Sequence, residues 1–175
     1  IDVLPCQSAN FTDTKSRIVE RLKNRSDIEL ITIDEELRKD TAERKRLINE
    51  SDYTFLCLPD AAAIESAELC DNPHTKILDA STAHRTAPGW DYGLPELSAE
   101  HRAKIAASKR VAVPGCYASG FNALCYPMVK NGFIAPYHTV TCHAVSGYSG
   151  AGKKAIAVYE SDEKPEEFYS PRQYA

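Results

Sequence analysis

The residue best suited to covalent chemistry is Cys116, in the stretch Val113-Pro114-Gly115-Cys116-Tyr117-Ala118-Ser119-Gly120. Arg110 to Val113 reads as a short buried strand, and Pro114-Gly115 ends it. Residues 118–129 then carry Phe121, Leu124, Cys125 and Met128 at helical spacing. A thiol at such a helix start faces the positive end of the helix dipole and a set of free backbone N–H groups. Both favour thiolate over thiol. The same N–H groups can hold the oxyanion formed when sulfur attacks a carbonyl. The competing reading is a buried, inert cysteine. A second group with chemistry is Arg85, four residues after Ser81. Its planar guanidinium suits phosphate or carboxylate, although an isolated arginine is ordinarily a surface ion-pair partner. Ser146 to Gly152 forms a glycine-rich loop whose N–H groups can approach an anion; alone, it reads equally well as a flexible turn. His84, His138 and His143 read as structural residues rather than as general bases.

These groups need elements to position them. The pattern predicts a helix over 16–22 and a strand over 28–33, where Ile28-Glu29-Leu30-Ile31-Thr32-Ile33 alternates. A charged, exposed helix follows over 34–48, with Leu37, Ala42 and Leu47 turned inward. The run 53–58 reads as a strand stopped by Pro59, with Asp60 capping a helix over 61–69. Residues 76–79 form the next strand. Strand and helix alternating in this way argue for an α/β parallel sheet covered by helices, in which ligands sit beyond the carboxyl ends of the strands. Cys57-Leu58-Pro59-Asp60, Ala80-Ser81 and Gly115-Cys116 all lie at such ends. After Gly132 the texture changes, and 139–145 reads as a strand leading into the glycine-rich loop.

Bulk properties narrow the field. The 175 residues are 43% hydrophobic, enough for one core and borderline for two small ones. With a net charge of −4 and no basic stripe, nucleic acid is not expected as a partner. No run of about 18 apolar residues predicts a membrane span, and the N-terminus lacks a signal-peptide pattern. The six cysteines are scattered, with no Cys-x-x-Cys pair and no zinc spacing. That distribution suits reduced cytoplasmic thiols and no structural metal.

Four segments in combination carry a family likeness: Cys57-Leu58-Pro59-Asp60; Leu78-Asp79-Ala80-Ser81-Thr82-Ala83-His84-Arg85 with the following Pro88-Gly89-Trp90-Asp91-Tyr92-Gly93-Leu94-Pro95-Glu96; the Cys116 stretch; and Ala144 to Lys153. From about Arg17 to Ala175 the chain resembles the N-acetyl-gamma-glutamyl-phosphate reductases in their shorter bacterial form. The resemblance implies a Rossmann-like parallel sheet with helices on both faces over residues 1–115. Residues 116–175 would begin a second, α+β catalytic and dimerisation domain. It implies a cytoplasmic, NADP-dependent oxidoreductase of arginine biosynthesis, homo-oligomeric at full length. Such an enzyme reduces an acyl phosphate, N-acetyl-glutamyl 5-phosphate, to N-acetyl-glutamate 5-semialdehyde through a cysteine thioester, releasing inorganic phosphate. By resemblance Cys116 is the nucleophile, and Ser81, Arg85 and Tyr117 bind substrate. Cys57, Leu58, Pro59, Ser81, Ser146, Gly147 and Gly150 border the cofactor.

Two departures from the pattern shape the expectation. The family opens with a glycine-rich turn that cradles the NADP pyrophosphate, whereas residues 1–16 hold no glycine and place Pro5 where a central strand would run. NADP binding by this chain is therefore expected to be weak or absent. The family's acid–base histidine lies downstream of the Ser146–Gly152 loop, and its second domain continues beyond the matching point. The chain thus reads as truncated. Two other readings stay open: a non-catalytic fragment or nucleotide-fold module, and a cysteine hydrolase acting through a thioester.

Overall fold

Six short strands build one sheet in the order β2-β1-β3-β4-β6-β5, with every neighbouring pair parallel. The structure, a computed structural model, describes residues 2–7, 12–151, 153–163 and 165–170. The strands are β1 (Asp2–Gln7), β2 (Glu29–Leu30), β3 (Tyr53–Cys57), β4 (Lys76–Asp79), β5 (Asp91–Tyr92) and β6 (Arg110–Ala112). The helices are α1 (Thr12–Leu22), α2 (Thr41–Glu50), α3 (Asp60–Glu68), α4 (Ala99–Ala107), α5 (Cys116–Lys130) and α6 (Lys153–Tyr159). Two compact units result, Ile1–Thr139 and Val140–Ala175.

The order explains the layering of the first unit. From β1 the chain steps one way to β2 and the opposite way to β3. Right-handed crossovers therefore place α1 on one face, and α2 and α3 on the other. The shared face is visible in side-chain bonds, since Arg44 on α2 reaches Glu65 and Ser66 on α3 at 2.6 and 3.2 Å. Between the layers sit Ile33, Leu47, Ile48, Leu56, Leu58, Ala63 and Ile77. The central strands are apolar on both sides, as a sheet covered on both faces requires.

Several local expectations are corrected. The strand over 28–33 shrinks to Glu29–Leu30. It is an edge strand that meets β1 at only two positions, and Ile33 leaves the ladder for the core. Residues 34–40 form turns rather than a helix, because Asp40 caps α2 by accepting from the Glu43 N–H at 2.8 Å. Leu37 and Ala42 are consequently exposed, whereas Leu47 is buried as expected, together with Ile48. Asp60 is the first residue of α3 rather than its cap, and its carboxylate is engaged elsewhere. Helix α5 starts at Cys116 itself, two residues before the expected start at 118. Pro5 does not break β1. It is registered with Phe55 of β3, beyond the two residues of β1 that pair with β2. A prolyl nitrogen is tolerated where one side of a strand has no ladder to serve. The glycine-free turn falls partly on residues 8–11, which lie outside the described residues.

The second unit is small. A 3-10 turn (Tyr148–Ala151), α6 and a second 3-10 turn (Glu166–Tyr169) gather Tyr148, Tyr159 and Phe168, with ring centroids 5.2 and 4.6 Å apart. The strand expected over 139–145 does not form. Its alternating residues are exposed throughout, and no strand edge among the described residues pairs with them. Alternation without a partner strand cannot bury its apolar side.

Candidate functional site

Three strand ends meet at the carboxyl edge of the sheet in the first unit. β3 delivers Cys57, β4 delivers Asp79, and β6 leads through Val113-Pro114-Gly115 to Cys116. Leu56, Asp79 and Ala112 stand side by side in the ladder. A sharp exit after β6 makes Cys116 the first residue of α5 and leaves it exposed. Gly115 caps the helix without a side-chain bond to its first turn. A helix start of this kind is a general place for an anion.

Arg85 arrives at the same place from the β4–β5 loop. Its Nε–H donates to the Val113 carbonyl at 3.1 Å, and its guanidinium lies against Gly115. A Cβ built on Gly115 would stand 2.9 Å from Nη1. The absence of a Cβ lets the guanidinium lie close against the backbone at the mouth of α5. Asp60 lies on the other side of the loop. Its carboxylate accepts from the Thr82 N–H at 2.9 Å and from the Thr82 hydroxyl. Chiefly through that hydroxyl bond, and also through the nearby Arg85 charge, its carboxyl is held below the usual carboxylate range.

Beneath the loop lies Asp79, wholly buried. It accepts from the Ser81 N–H at 2.9 Å and from the Ser81 hydroxyl at 2.6 Å, and His84 Nδ1 lies 2.6 Å from its Oδ2. His84 in turn stacks on Trp90, centroids 3.9 Å apart and planes 13° from parallel. A buried carboxylate is tolerated only when hydrogen-bonded or paired, and here the loop itself supplies the partners. His84 is thus tied into the packing, as read from the sequence.

The structure therefore brings Ser81, Arg85, Cys116 and half-buried Tyr117 to one edge, with Cys57, Leu58 and Pro59 along the same edge. Their exposure differs. Ser81 is buried and its hydroxyl is spent on Asp79. Cys57 and Leu58 are also buried, so what they can offer a ligand is backbone, beside the exposed ring of Pro59. Burial, and secondarily the Asp79 charge, pushes the Cys57 thiol up to about 11. Ser146, Gly147 and Gly150 belong to the second unit and are exposed. There the Gly150 N–H donates to the Gly147 carbonyl at 3.0 Å, and the Ser146 hydroxyl donates to the same oxygen at 3.2 Å. Sequence reasoning placed Asp60 and Gly115 at ligand-bearing strand ends without giving them a role at the site, and gave Asp79 none either. For Asp79 a signal existed, a lone charge closing the apolar run Ile77-Leu78.

A dinucleotide has a natural place in this architecture. The sheet order reverses between β1 and β3, whose last paired residues are Gln7 and Cys57. Open parallel sheets receive ligands at such a switch point. The backbone after β3 fits this role. Among the described residues no group of three or more His, Cys, Asp or Glu is arranged to hold a metal ion, and no helix is long and apolar enough to cross a membrane. Cys57, Cys70, Cys116, Cys125 and Cys142 are free thiols.

Fold and site define an α/β nucleotide-binding domain with an exposed cysteine at a helix start. Comparison with known families agrees. Residues 6–105 match the NAD binding domain of semialdehyde dehydrogenases, and residues 116–173 match their dimerisation domain. The chain belongs to the semialdehyde dehydrogenase family. It is 48% identical over 147 residues to N-acetyl-gamma-glutamyl-phosphate reductase 2 of Pseudomonas putida, covering 84% of this chain and 47% of the relative. It is 49% identical over 148 residues to N-acetyl-gamma-glutamyl-phosphate reductase of Trichormus variabilis, covering 85% and 46%. The chain thus spans about half the length of the curated relatives it matches. Among solved structures, aspartate semialdehyde dehydrogenase from Francisella tularensis superimposes with a TM-score of 0.62, at 14% identity, over 91% of this chain and 48% of that one. Aspartate semialdehyde dehydrogenase II from Vibrio cholerae gives 0.60 at 13% identity, over 90% and 50%. At that identity the structural likeness speaks for the fold.

Proposed function

We propose that this chain belongs to an enzyme that reduces N-acetyl-glutamyl 5-phosphate to N-acetyl-glutamate 5-semialdehyde with NADPH, as a step of arginine biosynthesis in the cytoplasm. The observation that carries this reading is the exposed Cys116 at the start of α5, with Arg85 against its cap, in a chain nearly half identical to N-acetyl-gamma-glutamyl-phosphate reductases.

The chemistry follows from the residues. Cys116 Sγ attacks the acyl carbon, and a C–S bond forms as the C–O bond to phosphate breaks. The backbone N–H groups leading α5 receive the carbonyl oxygen as it becomes an oxyanion. Arg85 binds the departing phosphate, for which a guanidinium fork is well shaped. Tyr117 sits beside the nucleophile to contact substrate. Ser81 contributes by shaping the loop, since its hydroxyl is engaged with Asp79. The covalent step helps because a thioester accepts hydride and a carboxylate does not. A bound nicotinamide supplies that hydride. In the first unit the residues that would hold it are the backbone of Cys57, Leu58 and Pro59 and the Ser81 turn; Ser146, Gly147 and Gly150 are the residues of the second unit that the family likeness assigns to the cofactor. Because residues 1–16 contain no glycine, we infer that this chain holds NADP weakly. We assign residues 1–115 to the cofactor domain and 116–175 to the beginning of the catalytic and dimerisation domain, which in the whole protein joins two or more copies.

The test is phosphate-dependent reduction of NADP with N-acetyl-glutamate 5-semialdehyde. Cys116→Ala is expected to lower the rate by about 10³-fold or more, and Cys125→Ala to leave it largely intact. Equal loss in both variants would remove the assignment. Micromolar saturation in an NADPH fluorescence titration would refute the weak-cofactor inference.

A further inference from the structure

We propose that Asp79, His84 and Trp90 act as a buried clamp that positions Arg85 against the start of α5, so that the cation is in place before an anion arrives. The proposal rests on the reading of Arg85 as the anion-binding group beside Cys116, and adds how that group is held.

The argument begins at the last residue of β4. Asp79 is buried at a position where an apolar residue would be the ordinary choice. Its three hydrogen-bond partners all come from the next five residues of the chain: the Ser81 N–H, the Ser81 hydroxyl and His84 Nδ1. The Ala83 N–H donates in turn to the Ser81 hydroxyl oxygen at 3.2 Å. This bends residues 80–84 around one carboxylate. Trp90 closes the far side by stacking on His84, and it also packs against the hydrophobic core. The loop is thereby fastened both to the end of the sheet and to the core.

Arg85 is the residue immediately after His84, and its Nε–H crosses to Val113 on the chain leaving β6. An arginine free in solution samples many rotamers, and much of that freedom would be lost on each binding event. A loop that fixes the backbone at 84 and a carbonyl that receives Nε confine the guanidinium in advance. Preorganisation of this kind raises affinity without adding a contact to the ligand. None of the clamp residues need touch the ligand; they act through Arg85. An alternative in which the network only stabilises the loop makes a different prediction, because stability alone does not change which charge the site prefers.

The experiment uses this chain as it stands and reads the charge preference of Cys116. Alkylation rates with anionic iodoacetate and neutral iodoacetamide are measured at the Cys116 peptide by mass spectrometry, and their ratio is taken. Arg85→Ala is expected to lower the iodoacetate/iodoacetamide ratio by roughly two- to fivefold, the scale of one nearby charge in a wet site. His84→Gln and Asp79→Asn are expected to lower the ratio by a comparable factor while leaving the iodoacetamide rate nearly unchanged. Protection of Cys57 in the same digest marks a variant as folded. The single tryptophan gives a second signature, since loss of the imidazole from its face should change Trp90 emission in His84→Gln but not in Arg85→Ala. Should Arg85→Ala lower the ratio and both folded clamp variants retain it, the clamp is overturned and the anion-site reading survives. Should Arg85→Ala itself leave the ratio unchanged, the anion-site reading fails and the clamp falls with it.

Discussion

Cys57 and Cys116 lie at the same edge of the sheet and have opposite fates. Cys57 is the last residue of β3 and Cys116 the first of α5, each with a proline and a helix close by. Cys57 is completely buried beside the Asp79 carboxylate, and its thiol is pushed up to about 11. Cys116 is exposed at the head of α5, with an arginine against the residue before it. The difference lies in how the chain leaves the sheet. Cys57 still belongs to β3, and Leu58 after it continues inward before α3 begins at Asp60. After β6, Val113-Pro114-Gly115 carries the chain out of the sheet first, and the cysteine becomes the first helical residue. A strand end supplies the neighbourhood, and the exit decides whether a thiol is structural or chemically available.

The comparison can be broken first by reagent access. Iodoacetamide should modify Cys116 at least about 10²-fold faster than Cys57, whose reaction must wait for opening of the sheet; similar rates in the native protein would mean that the burial contrast is wrong. A sharper test fills the space that admits Arg85. Gly115→Ala places a Cβ 2.9 Å from Nη1, so the guanidinium, the end of a flexible side chain, must shift. The phosphate dependence of the reverse reaction should weaken by roughly two- to fivefold, the scale of moving one charge in a wet site, and unchanged phosphate dependence would count against Arg85 at this mouth. The last test concerns Cys57. Its folded pKa lies above the unfolded value, so its neutral form supports the fold below about pH 9. That contribution is lost as pH rises towards about 11, by an amount on the order of 3 kcal/mol. Thermal melts from pH 7.5 to 10.5 should therefore fall more steeply for the native chain than for Cys57→Ala; parallel curves would contradict the burial argument.

How much of this was legible in the sequence depended on whether the signal was local. β4 was readable over its observed length, and β3 to within one residue, because a continuous apolar run ends in Asp79 or near Pro59. Cys116 and Arg85 were readable as candidates because Pro-Gly and the spacing from Ser81 mark them. β5 and α4 were not anticipated, since a two-residue strand has no period and no residue of α4 is buried. The charged stretch 34–40 imitated a helix until the Asp40 cap set a later start. Residues 139–145 imitated a strand but found no edge to pair with. What joins Arg85 to Gly115 is invisible in the chain order, because it depends on the β4–β6 register that sets Asp79 beside Ala112. The buried role of Asp79 required the loop after it to be folded before its partners could be seen.

The central claim is that the sulfur at residue 116 accepts an acyl group from an acyl phosphate. It is tested most directly by mixing the protein with N-acetyl-glutamyl 5-phosphate in the absence of NADPH, quenching in acid and mapping the added mass. The account predicts one N-acetylglutamyl group on the Cys116 peptide, released by hydroxylamine and absent from Cys116→Ser. Acylation of Cys57, Cys125 or Cys142 with Cys116 left unmodified would contradict it.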